Sequence, residues 1–318
     1  MGEIKKEILK ALAFYDIFKY PLTGLEIFRN LGIVAGLEEV LPALAELKNE
    51  NMIMETSGFF YLPQEKNLAA GRKARFLISS EKLKRAKKIA KILSFIPQIK
   101  FIGICNSLGF LNADGESDID FFIIARKNRL WLARFLAVSF AQIFKLRPSG
   151  QTAKDGICLS FFIDENNLDI SNVVLPAGDP YFYRWMSWIM PLYDGGIYEK
   201  FISANGWIKN KLPNFLEQNA DLKSCGPSAL LRTCGKKSNG FFLGDWLERM
   251  AKKIQLRIMP KELADAAKNR QDKSVVISDA MLKFHLSDRR EEYREKFYEK
   301  IKFLNDQIPN PNGQSKNQ

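Results

Sequence analysis

The chain has 318 residues, 46% of them hydrophobic and 26% charged, with a formal net charge of +12 and a single histidine. This is a globular composition, which excludes a disordered, collagenous or disulfide-stapled chain, and the length calls for two or three domains. The basic excess suits an anionic partner, whether nucleic acid, nucleotide or acidic membrane surface.

The cysteines Cys105, Cys158, Cys225 and Cys234 form no CxxC pair. They read as reduced thiols of a cytoplasmic protein, with a zinc site on Cys225 and Cys234 as the lesser reading because His285 is the only histidine. MGEIKKEILKAL at the start is charged throughout, unlike a secretory signal. LWLARFLAVSFAQIF, 130–144, is short for a membrane span and carries Arg134 and Gln142, so it is expected to be a packed amphipathic helix. No membrane partner is expected.

Residues 3–62 read as three helices and a hairpin. EIKKEILKALAFYDIF has helical periodicity, Thr23 and Glu26 form a capping box, a third helix is expected from about Leu37 to Glu50, and MIMETSGFFYL folds back at Ser57-Gly58. That is the outline of a winged helix. Its charge opposes DNA: residues 1–60 hold six Lys/Arg against nine Asp/Glu, and the third helix carries Glu38, Glu39, Glu46 and Glu50 against Lys48. Sequence-specific DNA binding is therefore not expected, and a docking or structural role is favoured.

Residues 71–100 reverse the sign, with ten Lys/Arg against Glu81 alone. Leu83, Ala86, Ala90 and Leu93 follow helical spacing, giving one buried stripe and a basic exterior. That exterior is either a solvated face or a track for a phosphate-bearing substrate such as RNA, over residues 72–100.

KFIGICN, 100–106, is an apolar strand running into Ser107 and LGFLNADGES. Small polar residues at a strand-to-helix turn expose backbone N–H groups and a hydroxyl to a phosphate. SDIDFFII follows. Alternation puts Asp118, Asp120 and Phe122 on one face of a strand, and two buried carboxylates there need a positive partner. No Lys or Arg alternates with them, so a divalent cation, with Mg²⁺ suited to hard oxygen ligands, is the economical choice. An edge strand with solvated acids, or a salt bridge from elsewhere, is the plainer alternative. Beyond about 179 the chain is expected to be mostly helical, with WLERMAKKIQLRIM and DRREEYREKFYEKIKFL as helices, a loop-like joint at 224–240 and a disordered tail at 307–318. YFYRWMSWIM reads as core packing rather than a base-stacking platform, and His285 as structural rather than chemical.

An apolar strand, a small-polar turn, about ten residues and then Asp-x-Asp resembles the nucleotidyltransferase superfamily with a polymerase-β-type palm. More closely, YPLTGLEIF, SDIDFFIIARKNRLWLARFL, KDGICLSFFID and LKFHLSDRR look like bacterial nucleotidyltransferase-domain proteins carrying an N-terminal winged-helix-like segment. The family's Gly-Ser stands here as Asn106-Ser107, and Asn tolerates the left-handed backbone such a turn requires. The resemblance implies an α+β fold of four parts: a winged-helix-like module at 1–70, a palm with its leading basic helix at 71–176, a helical domain at 177–306 and the tail. It implies Mg²⁺-dependent transfer of a nucleoside monophosphate from an NTP to an acceptor hydroxyl, through a two-metal site on Asp118 and Asp120. Asn106 and Ser107 would hold the triphosphate, and Lys127, Arg129 or Lys154 would meet its charge. A third acid is expected on ICLSFFID: Asp164 is assigned, with Asp155 or no third acid as alternatives. The rival reading is a catalytically degraded palm that binds nucleotide or RNA.

Overall fold

The structure, a computed structural model, describes residues 1–63, 68–146, 154–216, 241–269 and 273–307. The joint at 224–240, Cys225, Cys234 and the tail from 308 lie outside the described residues.

The first helices are α1 (Glu3–Asp16), α2 (Gly24–Arg29) and α3 (Leu37–Asn49). The Thr23 hydroxyl accepts from the Glu26 amide while the Glu26 carboxylate accepts from the Thr23 amide, the reciprocal cap its spacing calls for. Strands β1 (Met54–Thr56) and β2 (Phe59–Tyr61) form a two-stranded antiparallel hairpin, turning at Ser57 and Gly58, both at positive φ. A bridge from Leu22 to Phe60 ties it to the helices.

Helix α4 (Leu68–Leu93) buries Ala86, Ala90 and Leu93 as their spacing requires. It buries Lys82 with them, which the stripe does not announce. Arg72 fixes the helix to the first module through a two-pronged pair with the Glu26 carboxylate, with its guanidinium over the rings of Tyr20 and Phe59.

Six strands then make one mixed sheet in the order β6-β3-β4-β5-β8-β7. They are β3 (Ile99–Ile104), β4 (Ile119–Ala125), β5 (Ile157–Asp164), β6 (Met190–Asp194), β7 (Val275–Ile277) and β8 (Met281–Phe284). The short α5 (Asn106–Gly109) follows β3, and α6 (Leu130–Ile143) crosses over between β4 and β5, the one parallel pair. Among the described residues the remaining α-helices are α7 (Pro180–Trp188), α8 (Tyr198–Ala204), α9 (Phe241–Arg257), α10 (Lys261–Ala266) and α11 (Arg290–Gln307). The architecture is mixed α+β, as expected. The boundary expected at 176/177 does not separate a sheet from a helical domain, because β6, β7 and β8 all join the sheet from beyond it.

Alternation in the strands gives the sheet two apolar faces. Ile102, Ile104, Phe121, Ile123 and Phe162 pack against α4, α6 and Ala251 of α9. Phe101, Phe122, Ile124, Phe161 and Ile163 pack against α7 and share one continuous core with α1, α2 and α3. The 130–144 segment is thereby a packed helix, and among the described residues no helix is long and apolar enough to cross a membrane.

Candidate functional site

The site lies where β3 ends and β4 begins. Asp114 shapes the approach: its carboxylate accepts from the Glu116 and Ser117 amides and from the Ser117 hydroxyl. The Lys82 ammonium donates to the Gly115 and Ser117 carbonyls and pairs with the Asp155 carboxylate at 2.6 Å. One buried cation thus pins both the loop that enters β4 and the loop that enters β5, and it holds the Asp155 carboxyl below its ordinary range. Asp155 is thereby committed to structure.

Asp118 and Asp120 emerge from this clamp, half-buried, on one side of β4. Their carboxylate oxygens and the Cys158 Sγ lie within 4.8 Å of one another. Burial raises the Asp118 carboxyl above its ordinary range. Burial first, and then the Asp118 charge, push the Asp120 carboxyl up to about 7, opposed by hydrogen bonds from Asn106 and Cys158. Among the described residues no arginine pairs with either carboxylate, though the Lys82 charge opposes the rise at Asp118; such a site favours a proton or a cation.

Asn106 supplies the turn. It sits at φ 53°, the left-handed region its residue type tolerates. Its amide oxygen accepts from Trp185 Nε1 at 2.9 Å and from the Tyr181 hydroxyl at 3.3 Å, leaving the amide nitrogen to donate to Asp120. Trp185 is buried in the core as its sequence suggests, yet it also orients the turn. Ser107 follows, half-buried, its carbonyl accepting from the Asn112 amide.

Asp164 does not join the pair. Asp120 is the partner of Cys158 in the parallel ladder, whereas Asp164 is the partner of Ala125, about 20 Å further along at 3.3 Å per residue. An extra residue of β5 between the Asp120 and Phe122 pairings also breaks the alternation, so Phe161 and Ile163 face one core while Phe162 faces the other. Asp164 falls past the slip. Its carboxylate instead accepts from the Asn128 and Asn166 amides and closes the turn into α6. Lys127 is exposed at that same distant end, just beyond β4, and Arg129 pairs there with Asp245. Lys154 is exposed beside Asp155, at the acid end.

The third donor beside the pair is the Cys158 thiol. Burial raises its pKa well above the usual thiol range, with the Asp120 charge adding to the shift. Cys158 Sγ lies 3.1 Å from the Ser160 hydroxyl, which lies 3.1 Å from His285 Nε2. The signal for Cys158 is its place at the start of the strand, opposite Asp120; the expectation of a carboxylate points to the other end. His285 lies further in, its Nδ1 buried without a partner, and burial and the Lys283 charge lower its pKa to about 4. The imidazole is neutral at physiological pH.

A cavity of about 150 Å³ opens on this face beyond Asn106, walled by Tyr181, Trp185, Tyr293 and His285. Part of its wall is a charged network that sequence reasoning missed. Lys283 and Arg290 both bond the Asp288 carboxylate, and Arg290 also pairs with the fully buried Asp179 at 2.7 Å.

No protein-family model matches this chain, and no curated protein or solved structure matches it significantly.

Proposed function

We propose that the protein is a Mg²⁺-dependent nucleotidyltransferase whose palm is built around the β3–α5–β4 unit, preceded at residues 1–70 by a winged-helix-like docking module. The observation that carries this reading is the convergence of two half-buried carboxylates, paired with no arginine among the described residues, beside a left-handed strand-to-helix turn. The donor set fits the ion in part. Two carboxylate oxygens suit Mg²⁺, the thiol does not, and triphosphate and water oxygens would have to supply its remaining ligands.

Asp118 and Asp120 hold and orient the metal-bound triphosphate, with Asn106, Ser107 and the turn backbone positioning its oxygens and Lys154 supplying charge from the rim. Mg²⁺ held by these carboxylates would supply neutralisation of the charge that develops during transfer. An acceptor hydroxyl oxygen bonds the α-phosphorus as its proton passes to solvent water, the bond from that phosphorus to the bridging oxygen breaks, and pyrophosphate departs with the pair of electrons. The protein contributes position and electrostatics. The cavity beyond Asn106 has room for the nucleobase or a small acceptor. A cytoplasmic location goes with this reading, and with the free thiols of Cys105 and Cys158.

The test is incubation with Mg²⁺ and each labelled NTP, with RNA or small-molecule acceptors. Transfer should be lost in Asp118→Asn/Asp120→Asn, and labelling that persists in that variant rejects the proposal.

A second reading has its own observation: the third donor is Cys158, and no carboxylate from β5 reaches the pair. A site lacking that base can bind nucleotide without transferring it. Calorimetry with a non-hydrolysable NTP separates the two, since metal-independent binding without turnover favours the second.

A further inference from the structure

Helix α9 is held to the rest of the molecule along one side, and both of its acids are used there. Asp245 pairs with Arg129, and the Glu248 carboxylate accepts from the Trp131 and Leu132 amides of α6. Ala251 and Gln255 are buried on the same side, where Gln255 donates to the Trp131 carbonyl, and Lys252 pairs with Asp279 in the β7–β8 turn. At 3.6 residues per turn, Leu243, Trp246, Leu247, Met250, Ile254 and Ile258 fall on the side turned away from all of these contacts. Each of the six is exposed, Leu243 by 66% and Ile258 by 71%. Single exposed apolar side chains are ordinary, but an unbroken line of them over about 22 Å of helix marks an interaction surface. Arg249, Lys253 and Arg257 flank the line, exposed and paired with no acid among the described residues. The outward side of α9 therefore carries apolar groups and positive charge and no acid.

We propose that this side of α9 docks the protein on a lipid bilayer with anionic headgroups, lying along the interface and not across it. Trp246 and the aliphatic side chains enter the acyl boundary, and the flanking Lys and Arg meet the headgroup charge. Other occupants fit less well. A second copy would set Arg249, Lys253 and Arg257 against their own kind across a two-fold axis. Nucleic acid would meet the cations but gains nothing from Leu243, Leu247, Ile254 and Ile258, which offer no ring on which a base stacks. Residues 217–240, which lead into α9 and lie outside the described residues, hold four Lys/Arg against two Asp/Glu, the same sign as the surface. An acidic peptide helix could lie along α9 alone. The docking side extends further: α4 packs on β3 and β6, at the opposite end of the sheet from the β7–β8 turn that holds α9, and in the same helical layer. Opposite its buried Lys82 and Ala86, α4 exposes Leu77, Lys84, Lys88, Lys91 and Phe95. A bilayer covers both ends of that layer at once, which a single peptide does not. Asp118 and Asp120 share the other face of the sheet with Phe122, so docking leaves the acid centre toward water. The assignment does not rest on the transfer reading.

The test sediments the full chain with vesicles of phosphatidylcholine, alone or mixed with phosphatidylserine, and reads insertion by brominated-lipid quenching of tryptophan emission. Trp246 is the one exposed tryptophan of the five, so the quenching reports on α9. Wild type should bind the mixed vesicles far more tightly than phosphatidylcholine alone, with quenching that disappears in Trp246→Phe. Arg249→Gln/Lys253→Gln/Arg257→Gln should bind roughly a hundredfold more weakly. Leu247→Ser/Ile254→Ser should bind at least about tenfold more weakly. These substitutions alter only exposed side chains, and an unchanged melting curve verifies each fold. No binding to mixed vesicles overturns the proposal, as does equal binding by wild type and both variants, or binding without quenching at Trp246. So does a dimer that Leu247→Ser/Ile254→Ser dissolves in a chain that binds no vesicle. Neither nucleotide nor metal is present, so failure here counts against docking alone, whereas failure of the transfer reading shows in NTP labelling.

Discussion

Asp120 and Cys158 are direct partners across the parallel β4–β5 ladder, so the side chain nearest the acid pair on the neighbouring strand is a thiol. A thiol buried beside carboxylates holds its proton and makes a poor base. Under the transfer reading, the Cys158→Asp variant therefore gains what the wild type lacks. We expect Mg²⁺-dependent pyrophosphate release to rise by about a hundredfold, the low end of general-base effects. The ratio of activity in Mn²⁺ to that in Mg²⁺ should be lower in this variant than in wild type, because a hard donor replaces a soft one. Steady-state assays in each metal check both.

His285 is the only histidine, so its imidazole is observable without mutagenesis. Its folded pKa of about 4 lies below the unfolded value, so between about 4 and 6.5 the unfolded chain binds more protons. The stability this contributes is fully present above pH 6.5 and is lost as pH falls toward 4, by at most about 3 kcal/mol. A single pair of imidazole resonances titrating near 4 would establish it. A midpoint near 6.5 would show instead that the ring is solvated.

Arg290 pairs with Asp179, which also caps α7 by accepting from the Phe182 amide. Arg290→Met leaves a fully buried carboxylate without its cation. We expect about 3–5 kcal/mol of destabilisation in denaturant titrations, with Arg290→Lys recovering part of it.

Asn106→Gly places a glycine at a positive φ, which relieves a small backbone cost. It also removes the acceptor for Trp185 and Tyr181 and a donor to Asp120. Loss of these bonds outweighs the relief, so we expect a net loss of about 1–2 kcal/mol by thermal or chemical unfolding.

Local chemistry was legible in the sequence. The Thr23–Glu26 cap, the Ser57-Gly58 turn, the α4 stripe and the left-handed Asn106 depend on neighbours within a few residues, and each is found where its pattern placed it. The pairing of Asp118 with Asp120 is likewise set by strand alternation. Strict alternation through all of ICLSFFID misplaces Asp164, because one extra residue reverses every side chain beyond it. Cys158 as the third donor depends on the β4–β5 register, and the Lys82 clamp depends on groups 33 to 73 residues away. Neither leaves a periodic trace. The helical appearance of the chain beyond about 179 hid three strands of three to five residues, too short to show a period.

The aromatic side chains that join the first module to the sheet face bear on how the chain can be divided. Trp188 donates to the Tyr15 hydroxyl and stacks on Phe110, and Phe14 meets Phe297 of α11. Residues from both termini and from the middle therefore interlock in one interior. An expression fragment cut near residue 70 would bare those rings on both pieces, and grafting the first module onto another scaffold would carry half of a shared core with nothing to close it.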